Sequence, residues 1–133
     1  MQNGKNSIQI VSGVDDLSAA KNKLILADGT VATAADNANI LGALEANAAG
    51  TSAGEVVYVT VSGFATCLAS ATPPDPYDYV MSDASGRVET IAAGDSARSI
   101  GQYIPELRDC ATYTSAVENE EIRVYLFADK QGV

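Results

Sequence analysis

The chain has 133 residues, of which 47% are apolar and 19% charged. That composition excludes a disordered chain and suits one globular domain whose core needs no metal or disulfide staples. The net charge of −9 comes from 17 acidic against 8 basic residues. With no basic cluster in either half, phosphate neutralisation by Lys and Arg has no source, which argues against nucleic acid and against docking on an anionic membrane surface.

Residues 1–7 are polar and read as a free arm. They lack the apolar core of a secretory signal, and no stretch approaches the ~20 apolar residues that span a bilayer, so a cytosol-like, reducing compartment is expected. Residues 8–11 form a short strand closed by Ser12-Gly13. Asp15-Asp16 ahead of Leu17-Ser18-Ala19-Ala20 has the order that opens a single helical turn. Apolar 23–27, Asp28-Gly29 and 30–33 read as a hairpin, because a type I′ turn needs positive φ at both central residues. Residues 39–44 read as a strand, since Asn37, Asn39 and Gly42 oppose a helix, and an Ala-Gly-Ser-Thr loop runs on to Gly54.

Residues 55–62 carry the clearest period of two. Val57, Val59 and Val61 share one face, Tyr58, Thr60 and Ser62 the other. Gly63 is expected to interrupt the strand and 64–68 to resume it. The loop over 69–78 holds Pro73, Pro74 and Pro76, none suited to a central strand. Strands at 79–82 and 87–91 flank a turn at 83–86, and 92–95 turns the chain again. A strand over 98–104 is broken by Gly101, and 105–119 is polar connection. In 122–127, Ile122, Val124 and Leu126 share a face. Short strands with turns every ~8–12 residues predict an all-β domain over 8–133, a small β-sandwich or β-barrel of antiparallel strands with long loops and little helix.

Histidine is absent. That removes the commonest general base and metal ligand and makes a Ser-His-Asp triad impossible. Cys67 and Cys110 match no zinc spacing and are expected to be free, buried thiols. Gly94-Asp95-Ser96 lacks the second glycine of a nucleophile elbow. Asp83-Ala84-Ser85-Gly86 lacks the alternating oxygens and closing Glu of a calcium loop and reads as an Asx-type turn. Glu118, Glu120 and Glu121 read as a solvated run, and Lys21 and Lys23 as surface partners of Asp15 and Asp16. No cofactor, metal or catalytic group is therefore expected. Tyr77 and Tyr79 flank Asp78 at the end of the proline loop. Tyrosine joins apolar area to a polar tip, which makes both interface candidates; the alternative packs one of them beneath the loop.

The order of several motifs resembles a known family. Alanine-rich 37–44 leads into an Ala-Gly-Ser loop. Ala53-Gly54-Glu55-Val56-Val57-Tyr58-Val59 follows and ends on Ser62-Gly63-Phe64-Ala65. Residues 80–83 precede Gly86-Arg87-Val88, then come Ile100-Gly101 and the strand at 122–127. Over 24–127 this looks like the small capsid decoration, or cement, proteins of tailed bacteriophages, without the Pro/Thr-rich N-terminus some of them carry. The resemblance implies a compact β body on the outer face of the major capsid protein. It implies homotrimers in preference to dimers, a virion location after synthesis in the host cytoplasm, and reinforcement of the head. A subunit of charge −9 suits the outer face, because packaged phosphate would repel it from the inner one.

On that reading the arm, with Asn3, Lys5, Ile8 and Ile10, lies against the capsid or a neighbouring subunit, and Tyr77 and Tyr79 add contacts. Two other classes compete. One is a carbohydrate- or receptor-binding β module of a fibre, with Tyr standing in for absent Trp. The other is a hydrolase working with carboxylates alone.

Overall fold

Local alternation of apolar and polar residues sets the strands, and their buried faces set how they close. A computed structural model describes residues 6–11, 17, 19–33, 39–45, 56–91, 99–105 and 116–128. It contains β1 (Asn6–Val11), β2 (Leu24–Leu26), β3 (Ile40–Leu44), β4 (Val56–Leu68), β5 (Tyr79–Ser82), β6 (Val88–Thr90), β7 (Gly101–Tyr103) and β8 (Glu121–Leu126). The strands pair antiparallel in the order β2-β3-β4-β8-β7-β5-β6, with β1 added on β4. The end of the path folds back on its middle and meets its start. Ser70 N–H donates to Val88 O at 2.9 Å, and Leu24 N–H to Gly86 O at 2.8 Å. Ala69, just past β4, bridges Val88 of β6. The sheet is thus nearly closed into a barrel, which leaves few free edges.

β4 is the longest strand, 13 residues, and it changes partners along its length. It pairs with β1 across Val56 to Ser62 and with β3 at Val59 and Thr60, then with β8 from Gly63 to Leu68. The expected interruption at Gly63 does not occur. Gly63 takes a φ of 85°, a conformation glycine adopts without a Cβ penalty, and the strand runs through it.

The core forms two clusters. One fills the barrel with Cys67, Val80, Val88, Ile100, Val124 and Leu126, all fully buried. The other, with Leu17, Ile25, Leu44, Val57 and Val59, lies under β1, β2 and β3. Burying each such aliphatic side chain contributes about 1.5–3 kcal/mol relative to exposure. Tyr103 is the one buried aromatic among the described residues.

Several local expectations are corrected. β1 starts at Asn6, so 6–7 belong to the sheet rather than to an arm. The 24–33 hairpin forms, but φ is positive at Gly29 and not at Asp28. Leu26 N–H bonds Thr30 O at 2.8 Å. That makes a three-residue loop with glycine in the left-handed position, not a two-residue type I′ turn. Thr60, expected on the face opposite Val57, Val59 and Val61, is buried as Val57 and Val59 are, and its hydroxyl donates to Glu45 Oε2 at 3.0 Å. Val61 is only half-buried. The strand expected over 98–104 shortens to Gly101–Tyr103. Expectations placed on Asp15, Asp16, 46–55, 92–98 and Cys110 lie outside the described residues.

The 83–86 turn is of the Asx type. Asp83 Oδ1 accepts from Ser85 N–H at 2.8 Å and Arg87 N–H at 2.9 Å. Arg87 Nε pairs with Asp83 Oδ2 at 3.0 Å, and Nη1 reaches Glu118 Oε2 and Asn119 Oδ1, each at 3.0 Å. One guanidinium therefore ties the β5–β6 turn to the turn before β8. The Asp83 carboxylate is occupied by the fold itself, as an Asx turn requires.

Candidate interaction surface

Barrel closure decides which side chains face outward. On β4, β8, β7 and β5 the inward positions are Ala65, Cys67, Ile122, Val124, Leu126, Tyr103 and Val80. The alternate positions, Phe64, Tyr125, Gln102 and Tyr79, must face out. Strand register then aligns them. Phe64 stands opposite Tyr125, Tyr125 opposite Gln102, and Gln102 opposite Tyr79. The result is one row across four neighbouring strands, about 14 Å wide at the usual strand spacing.

The rings touch along the row. Phe64 and Tyr125 meet edge to face, with centroids 5.2 Å apart and planes at 72°. Phe127, just past β8, lies 6.3 Å from Tyr125 and 6.1 Å from Tyr79. Phe64 remains 36% exposed, Tyr125 41% and Tyr79 51%. Such pairs contribute about 0.5–1.5 kcal/mol each beyond area burial, yet the row stays open to solvent.

Fixed polar groups frame it. The Arg123 guanidinium sits 4.7 Å from the Phe64 centroid. Its Nε donates to Ile104 O at 3.1 Å and its Nη2 to Pro105 O at 3.3 Å, so the cation is held against the ring. The Gln102 amide donates to Tyr77 O at 2.9 Å. Tyr77 itself has a φ of 69°, sparsely populated for a residue with a side chain. A turn holds it there. Asp78 N–H donates to Asp75 O at 3.0 Å, and Tyr77 N–H donates to Tyr103 O at 2.8 Å. Asp78 Oδ2 accepts from Asp75 N–H at 3.1 Å and from the Thr90 hydroxyl at 2.8 Å. A strained backbone over-determined by its neighbours is a functional signal, since strain persists where the surroundings enforce it.

Among the described residues this face offers flat apolar rings, one cation and one amide, which suits recognition by contact. Among the described residues no three His, Cys, Asp or Glu side chains gather into a metal cluster. Cys67 is a free thiol at full burial, which pushes its pKa up to about 12, so it carries no thiolate at neutral pH. No described helix is long and apolar enough to cross a membrane.

The sequence-predicted contact residues divide. Tyr79 stands in the row and Tyr77 at its rim; both are exposed, so neither packs beneath the proline loop. Ile8 and Ile10 lie on β1, against the first half of β4, with Ile8 41% exposed and Ile10 half-buried on the second core cluster. Asn3 and Lys5 lie outside the described residues. Phe64, Gln102, Arg123, Tyr125 and Phe127 were not foreseen. One signal points to three of them: if Ile122, Val124 and Leu126 face inward, then Arg123, Tyr125 and Phe127 face outward, and two aromatics at outward positions are unusual. Comparison of the sequence with protein-family models and with curated proteins finds no match.

Proposed function

We propose that the protein is a non-enzymatic structural binder that docks its outer aromatic row onto the outer surface of a phage capsid shell, holding the head together from outside. One observation carries the reading. Phe64, Tyr79, Tyr125 and Phe127 meet on one outer sheet face, while the described core holds Tyr103 alone. Aromatic side chains placed outside a core they would readily fill are characteristic of the centres of protein interfaces. Single-stranded nucleic acid also stacks on aromatic rings, but it needs a basic groove, and among the described residues Arg123 is the cation seen beside the row, on a chain of charge −9. The choice of a capsid shell follows the ordered motifs over 24–127 and the acidity that suits an outer surface.

The test is co-sedimentation with undecorated heads. Wild-type protein should saturate them, and Phe64→Ala/Tyr125→Ala should not at the same concentrations. Equal binding by the double variant would overturn the assignment of this face. A second reading, a carbohydrate-binding module, is favoured by the Gln102 amide standing between two tyrosine rings. It predicts that a soluble glycan protects Tyr79 and Tyr125 resonances while heads leave them unchanged.

A further inference from the structure

Among the described residues β1 has a free edge, and the hydrogen-bond pattern shows which groups it offers. Glu45 N–H donates to Tyr58 O at 3.0 Å, so Tyr58 turns its backbone toward the β3 side. Backbone direction alternates along a strand, so Val57 and Val59 turn theirs toward β1, where they face Ile10 and Ile8. Gln9, opposite Tyr58, therefore does not bond β4 through its backbone. The N–H and C=O groups of Ser7, Gln9 and Val11 point away from β4. No described strand pairs with that side.

The edge is also undefended. Natural edge strands are usually blunted by charge, proline or a covering segment. β1 reads Asn-Ser-Ile-Gln-Ile-Val, with no charge and no proline, and Ile8 and Val11 are 41% and 58% exposed. Its chemistry is that of a strand prepared for another strand.

We infer that β1 is a dimerisation edge, pairing antiparallel with β1 of a second copy of this chain about a two-fold axis through Gln9. In that register Gln9 faces its own counterpart, and Ser7 of each copy faces Val11 of the other. Each pair exchanges both N–H···O bonds, so every outward backbone group of these residues finds a partner. Facing residues share a sheet face, so Ile8 of one copy meets Ile10 of the other. That continues the second core cluster across the axis and covers the exposed part of Ile8. A second copy is favoured over an unrelated strand because the identical sequence meets this register in full. The six β1 residues bring no charge of their own to the seam, although each chain carries −9 and the Glu45 carboxylate, bonded to the Ser7 and Thr60 hydroxyls, lies at its end. One strand pair is a small interface, which places the dissociation constant in the micromolar range, on the order of 10 µM. Repulsion between the two acidic bodies acts at longer range and is screened by salt. The inference departs from the homotrimer that the resemblance implies, and it does not rest on shell binding, since β1 and the aromatic row adjoin different halves of β4.

Sedimentation velocity over about 1 to 500 µM protein spans that affinity. The wild-type chain should pass from monomer to dimer, with a larger dimer fraction at higher salt. Gln9→Pro removes the central N–H, which the monomer fold does not use, and should stay monomeric with a near-native circular dichroism spectrum. Val11→Lys places charge on the seam at an exposed position and should weaken dimerisation at least about tenfold; it carries the test if Gln9→Pro fails to fold. Phe64→Ala should dimerise like wild type even if head binding is lost. A wild-type chain that stays monomeric throughout, a trimer in place of a dimer, or undiminished dimerisation of the folded variants would overturn the inference.

Discussion

Truncation of Phe64 to alanine separates a ring that binds from a ring that merely holds the sheet. In the free protein, Phe64 contributes one edge-to-face contact with Tyr125 at 5.2 Å and one cation–π contact with Arg123 at 4.7 Å. An aromatic pair contributes about 0.5–1.5 kcal/mol and an exposed cation–π contact about 0.5–1 kcal/mol. The side chain is 36% exposed, so roughly two thirds of it is covered, and truncation also loses about 1–2 kcal/mol of burial. The expected loss of stability is therefore about 2–4 kcal/mol, roughly 6–20 °C in melting temperature for a domain of this size. A domain of ordinary stability, ~5–15 kcal/mol, still folds. Binding should suffer as well. A ring at the centre of an interface contributes at least about 2 kcal/mol, or roughly a thirtyfold change in affinity. Thermal melts and head co-sedimentation on one preparation read both quantities. Near-complete unfolding would show the row to be a fold element, and a stability loss with unchanged head affinity would refute its role in binding.

Other outcomes follow from the same structure. Val59→Asp places an unpaired carboxylate at full burial in the second core cluster and should unfold the domain, whereas Tyr58→Asp, on a side chain 52% exposed, should cost less than about 1 kcal/mol; equal damage in denaturant melts would refute the register. Tyr77→Gly relieves a φ of 69° and should leave the melting temperature unchanged or raised by the equivalent of up to about 1 kcal/mol, so a clear fall would show that the Tyr77 ring, not the turn, stabilises this loop. In a Cys110→Ser background, Cys67 should resist maleimide at mildly alkaline pH, because burial pushes its thiol up to about 12, and should react fully in denaturant; rapid labelling of the native chain would refute its burial.

Positions of strands, and the faces that turn inward, were largely legible before any coordinates. Period-two alternation in 55–62 and 122–127 is a local property, and Val57, Val59, Ile122, Val124 and Leu126 are buried as it requires. The Asp83 turn was equally readable, because an Asx turn needs only its own side chain and the N–H groups just after it. Gly63 misled because sequence shows a residue that permits positive φ and not whether the strand continues through it. The fate of Thr60 depended on Glu45, brought alongside only when β3 pairs with β4.

What the sequence by itself determined, then, is an all-β chain of alternating strands without histidine chemistry, since composition and short-range periodicity suffice for that. The aromatic row was decided by tertiary structure alone. Phe64, Tyr79, Gln102 and Tyr125 are scattered along the chain, and neither their spacing nor their neighbours mark them as a set. They align because β4, β8, β7 and β5 lie side by side in one register, and strand order is chosen by how the buried faces close on one another.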